Sequence, residues 1–138
     1  PIEFPIPAYS MIEALQEAVT NYESRFPILQ NVRVATRRAD TQLSGVYEKQ
    51  VIVTPTAATY EMGRLKKRVT YNVNFFTKTE DDAEELAVAL EVVFQSIRTK
   101  GFHWVMIDRA PMKVPNSQYK NENHYWMTLD TLISAKSY

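Results

Sequence analysis

The sequence predicts an α+β fold of two layers: a mostly antiparallel sheet covered on one face by two helices. Two patterns carry that expectation. In LKKRVTYNVNF (residues 65–75), Leu65, Val69, Tyr71, Val73 and Phe75 fall on one side of an extended chain, and Lys66, Arg68, Thr70, Asn72 and Asn74 on the other. Alternation of that length marks a half-buried strand. After Thr79, Leu86, Leu90, Val93 and Ile97 recur at helical spacing, widened by Ala83, Ala87 and Phe94, which marks one buried helix stripe. The whole chain, 1–138, reads in the order α-β-β-β-α-β-β as a single domain, with long loops and an extended N-terminal arm.

The elements follow from local chemistry. Pro1, Pro5 and Pro7 hold residues 1–9 extended, because proline fixes φ and disfavours helix just before itself. Ser10-Met11-Ile12-Glu13 fits a capping box, so the first helix is expected to start at Ser10. Ile12, Leu15, Val19 and Tyr22 line its buried side, and Phe26-Pro27 ends it. NVRVATRR and QVIVT (50–54) read as short strands. Between them TRRADTQLSGVY (36–47), polar and centred on Ser44-Gly45, reads as the long tip of a hairpin. TPTAATYEMG (54–63) reads as another loop. Lys67 interrupts the apolar side of the next strand, so that end should project beyond the core. Thr79 caps the second helix with Asp82 completing the pattern, and Glu80, Asp81 and Asp82 fill the first turn, where the helix dipole favours carboxylates. Lys100-Gly101 is a stop signal. HWVMIDR (103–109) and HYWMTLDTLIS (124–134) are the closing strands, joined by a loop over residues 108–123 that carries Pro111 and Pro115.

Composition narrows the function classes. A chain of 138 residues that is 45% hydrophobic should bury roughly two thirds of its unfolded surface. Its 16 basic and 16 acidic residues cancel, which argues against a protein built mainly to neutralise phosphates. Without cysteine there is no disulfide framework, thiolate nucleophile or thiolate zinc site. No apolar run approaches the ~20 residues of a membrane span, so no membrane partner is expected. The start, PIEFPIPAYS, lacks the basic and apolar regions of a signal peptide. Opening on Pro1 fits a cytosolic product that has lost its initiator methionine.

No motif announces a reaction. His103 and His124 begin strands without the spacing of a metal site. Gly45, Gly63 and Gly101 fall at turns or a helix end, outside any phosphate-binding pattern. Ser44-Gly45 lacks the nucleophile-elbow context, and the acids of EDDAEEL are those a helix start attracts. The expectation is no enzyme, no cofactor and no metal. Alternation splits the charges of RLKKR (64–68) over two faces, and no aromatic platform is interleaved with them, so specific nucleic-acid binding is not expected either. The residues left over are Lys66, Lys67 and Arg68 at a strand end, Glu80, Asp81 and Asp82 at a helix start, and Arg37 and Arg38 in the hairpin tip.

A family pattern can be matched at this point. A first helix ending in Ser24-Arg25-Phe26-Pro27, a variable hairpin, the basic-to-aromatic strand RVTYNVNFF (68–76), and a helix entered through acids with the Leu86, Ala87, Leu90, Phe94 and Ile97 face precede two closing strands. From Met11 to Ser134 this resembles the tail terminator (tail completion) proteins of tailed bacteriophages. The resemblance implies a structural virion protein at the tail–neck junction, assembled in the host cytoplasm. It implies a homo-hexameric ring that caps the tail tube, stops its elongation and offers an attachment surface to the head. The implied partners are the chain itself, the tail tube protein, the neck or connector proteins, and the sheath protein if the tail is contractile. A ring of head-to-tail contacts needs unlike patches on one subunit, so the basic group at 66–68 and the acidic group at 80–82 are expected either to meet across a subunit boundary or to face different partners, and Arg37 and Arg38 to reach the tube or neck. The alternatives are a neck or head-completion protein, and a small dimeric ligand- or nucleic-acid-binding domain.

Overall fold

The computed structural model describes residues 2–39, 48–63 and 65–137, and in it the alternating segment of the sequence is the central strand. The elements are β1 (Ile2–Glu3), α1 (Pro7–Tyr22), a 3-10 turn at Pro27–Leu29, β2 (Arg33–Ala35), β3 (Gln50–Glu61), β4 (Lys66–Thr77), α2 (Glu80–Gln95), β5 (Phe102–Lys113), β6 (Asn123–Ser134) and β7 (Lys136–Ser137). Five strands form one sheet in the order β2-β3-β4-β6-β5. β2 runs parallel to β3, and the other neighbours are antiparallel. β1 and β7 pair separately, bringing the two ends of the chain together.

Both helices lie on one face of the sheet, so the expected two-layer α+β architecture is the one observed. α1 buries Met11, Leu15 and Val19, and α2 buries Leu86, Leu90, Val93 and Phe94. They pack in one core with Val69, Tyr71, Val73 and Phe75 of β4 and Met127, Leu129 and Ile133 of β6. Each such side chain removed from water stabilises the fold by roughly 1.5–3 kcal/mol. Thr79 caps α2 as read, its Oγ1 accepting the Asp82 N–H at 3.1 Å.

Four local expectations are corrected. First, α1 starts at Pro7, not Ser10. Proline at the first helical position lacks only a donor that would have had no partner and presets φ, and the Ser10 N–H already donates to Ile6 O at 3.0 Å. Ser10 is therefore a buried residue of the first turn. The N-terminal arm is correspondingly shorter than residues 1–9, and Tyr71 fixes the helix start by donating its hydroxyl to Pro7 O at 2.9 Å. Second, TPTAATYE is not a loop but the continuation of β3 to Glu61. β4 offers a partner all along, and a register shift between Pro55 and Ala57 accommodates the proline. Third, β2 and β3 are parallel neighbours, which a hairpin cannot connect. Residues 40–47 of the expected hairpin tip lie outside the described residues. Fourth, β5 runs on through Pro111 to Lys113. It is an edge strand with register shifts between Phe102 and Trp104, Ile107 and Arg109, and Arg109 and Met112, and the last shift takes up the proline.

Candidate interaction surface

The strand register arranges the sheet's second face in rows. Ile52, Asn74, Trp126 and Met112 are successive partners, as are Thr54, Asn72, Thr128 and Arg109. Next come Ala57, Thr70, Asp130 and Met106, then Thr59, Arg68, Leu132 and Trp104. All of these point away from the two helices, because successive side chains alternate between faces.

One end of this face is closed by loops. The Gln50 side chain is fully buried. Its Oε1 accepts from the Ala39 N–H at 2.8 Å and from Arg33 Nη1 at 3.2 Å, and its Nε2 donates to Ala39 O at 3.0 Å. The amide thus continues the ladder that β2 leaves unfinished and ties residues 36–39 to the sheet. Arg33 Nη1 also donates to Arg37 O at 2.7 Å. The next guanidinium, Arg38, lies 4.2 Å from the Tyr119 ring centroid and 5.0 Å from that of Phe76, and is ion-paired with Glu122.

His124 completes this cluster. It stacks on Phe76 at 4.4 Å and meets the edge of Tyr119. Its Nε2 lies 2.7 Å from Asn74 Oδ1 and its Nδ1 2.7 Å from Ser117 Oγ. With an amide oxygen as acceptor, Nε2 carries the proton and Nδ1 accepts from the serine hydroxyl. Burial lowers the His124 pKa, and the Arg38 charge lowers it further, so the imidazole is held neutral. Beside the cluster is a cleft of about 480 Å³ bordered by Arg37, Ile52 and Gln118.

Among the described residues, nothing covers the rest of the face. Trp126 is 39% exposed, Met106 57% and Met112 54%. Arg109 lies over Trp126 at 5.5 Å and Arg68 over Trp104 at 5.7 Å. Trp, Met and Arg are the side chains that the buried centres of protein interfaces favour. Exposed side chains of this kind gathered on one face make it the candidate binding surface.

The charged residues singled out in the sequence are distributed otherwise than expected. Lys66 donates to Ser134 Oγ at 3.1 Å and contacts His103 Nε2. Lys67, on the helix side, lies 4.8 Å over the Phe4 ring and 5.5 Å over Tyr60. Arg68 grips Asp130 through Nε at 3.1 and 3.0 Å and through Nη2 at 2.5 Å, and lies 3.5 Å from Glu61. The hydrogen bonds and charge of Asp130 raise the Arg68 pKa. The fold itself therefore employs the basic strand end. Glu80 pairs with Lys113 at 3.5 Å, while Asp81 is exposed at the start of α2. The basic and acidic groups stand at opposite ends of β4, which spans 12 residues, or roughly 36 Å at the usual strand rise. They do not meet within one chain. Arg37 and Arg38 stand near the acidic end, beside Phe76.

Sequence reasoning missed Gln50, Tyr119 and the open patch. The patch did leave a signal: once Tyr125 and Met127 are assigned to the core side, alternation alone places Trp126 on the other. Among the described residues, no helix is long and apolar enough to cross a membrane, and no cluster of His, Asp or Glu could hold a metal ion. Comparison with known proteins finds no family model and no curated protein that matches the chain.

Proposed function

We propose that this chain is a structural assembly protein of the tail-terminator kind: a non-enzymatic subunit of a hexameric ring that caps a bacteriophage tail tube in the virion. Its partners in this reading are its own copies, the tube protein, the neck or connector proteins and, in a contractile tail, the sheath protein. The observation that carries the reading is the sheet's uncovered second face, where Trp104, Trp126, Met106, Met112, Arg68 and Arg109 are gathered. A two-layer domain needs only one face for its own core, so this set favours contact with another protein. The charge polarity along β4 supports the reading too, since head-to-tail contacts join unlike patches.

The structure moves the residues to test. Reversing Lys66 or Arg68 would disturb contacts inside the chain, so Met112 and Trp126 are the better probes. Replacing them with Glu and Ser should leave the fold intact and abolish assembly onto tails; normal attachment of the double variant to tails would sink the reading. The cleft beside Arg38 and His124 favours a second reading, a small ligand-binding domain. Saturable binding of a small anion, lost on Arg37→Ala, with no assembly activity, would favour that one.

A further inference from the structure

Among the described residues, β3 is flanked on both sides only at its beginning, where Gln50, Val51 and Ile52 pair with Arg33, Val34 and Ala35 of β2. From Val53 to Thr59, among the described residues, it is hydrogen-bonded to β4 alone. The backbone groups that point away from β4 there form an open edge. Natural sheets guard such edges with Lys, Pro, bulges or short strands, because an open edge recruits another strand. Past the bulge at Pro55 this one has no guard: Thr56-Ala57-Ala58-Thr59 is uncharged, small and exposed, and the first charge is Glu61. The opposite edge is guarded. β5 carries three register shifts together with His103, Asp108, Arg109 and Pro111.

We propose that the β3 edge pairs antiparallel with the same edge of a second copy of this chain, about a twofold axis near Ala58. The edge is complementary to itself. With Ala58 on the axis, Ala57 of one copy faces Thr59 of the other, and Glu61 faces Pro55, so no like charges are opposed. The cations opposite this stretch on β4 are engaged within the chain, Arg68 by Asp130 and Lys67 over the Tyr60 and Phe4 rings. The guarded β5 edge is a poor match for the open one, which favours a like-with-like contact over a continuous head-to-tail sheet. A twofold contact closes on itself, so the inference does not rest on the ring assignment. Within a ring it would join two rings back to back.

The test uses the full chain with Ala58→Lys and Ala58→Glu, each alone and mixed in equal amounts. Sedimentation velocity reads association, and amide hydrogen exchange reads residues 57–59. The wild type should form a concentration-dependent dimer with slowed exchange at those of these amides that point away from β4. Each variant alone places like charges face to face and should weaken the dimer by about fivefold. The mixture, which pairs Lys with Glu, should restore it. Ala58 is exposed, and thermal melting of both variants checks that the fold survives. A monomeric wild type with fast exchange at the outward-pointing amides of residues 57–59 would overturn the proposal. So would variants that dimerise like the wild type, or folded variants whose mixture fails to associate. Recruitment to tails is scored separately, so failure here leaves the ring reading standing, and failure there leaves this one.

Discussion

Gln50→Leu is the most informative single change for how the uncovered face is built. The substitution is close in volume and keeps the site buried, so it changes hydrogen bonding with little change in packing. Three hydrogen bonds disappear: from the Ala39 N–H, from Arg33 Nη1, and to Ala39 O. Arg33 keeps the Arg37 carbonyl, but the Ala39 peptide groups lose their partner on the sheet. At about 1 kcal/mol net for each bond, and more where a buried group is stranded, the expected loss is about 2–4 kcal/mol. With a urea m-value of about 2 kcal/mol/M the unfolding midpoint should fall by about 1–2 M. The effect should also be local: the Ala39 amide, protected in the wild type, should exchange quickly with solvent. A variant within about 0.5 kcal/mol of wild type, the usual range of neutral surface changes, with the Ala39 amide still protected, would refute the claim that Gln50 ties residues 36–39 to the sheet.

Three further predictions concern titration and capping. His124 has a lowered pKa in the fold, so its contribution to stability is present above the unfolded value of about 6.5 and is lost as pH falls through the folded value; stability measured against pH should show this acid-side slope in the wild type and lack it in His124→Gln. The Tyr125 hydroxyl, buried and donating to Glu84 Oε1 at 2.6 Å, has its pKa pushed up to about 12. That contribution is complete below about 10 and lost as pH rises from there through the folded value, so Tyr125→Phe should flatten the alkaline loss seen by chemical denaturation. Thr79→Ala removes the acceptor of the Asp82 N–H and should cost about 0.5–2 kcal/mol in a thermal or urea melt, with Thr79→Ser recovering most of it.

What could be read from the sequence was whatever depends on neighbours along the chain. The alternation of residues 69–75, the stripe at Leu86, Leu90 and Val93, and the Thr79 cap are all short-range patterns, and each is where the sequence puts it; the helix itself stops at Gln95, short of the expected Lys100-Gly101, and Ile97 is buried just beyond its end. The misreadings arose where a distant partner decided the outcome. TPTAATYE has the proline and small residues of a loop, yet β4 supplies a ladder and a bulge absorbs Pro55. At Ser10 two local signals competed, a capping box and a proline three residues earlier, and the proline began the helix. The parallel pairing of β2 with β3 depends on how the chain returns across the sheet, which local composition does not record.

The interaction surface was legible in the same proportion. Lys66, Lys67 and Arg68 were recognisable as charges without a local reason, but their reasons are cross-strand: Asp130 on β6, Phe4 in the arm, Ser134 at the end of β6. The Arg38, Phe76, Tyr119 and His124 cluster joins three separated stretches of chain. Only the register of the finished sheet brings Trp126 beside Met112.

As proposed, this chain ends a phage tail by contacts through the sheet face opposite the helices. Electron microscopy of particles assembled in its absence tests that most directly. Overlong tails or tails without heads are expected, corrected by supplying the wild-type chain and not by the Met112→Glu, Trp126→Ser variant. Tails of normal length joined to heads without the chain would contradict it.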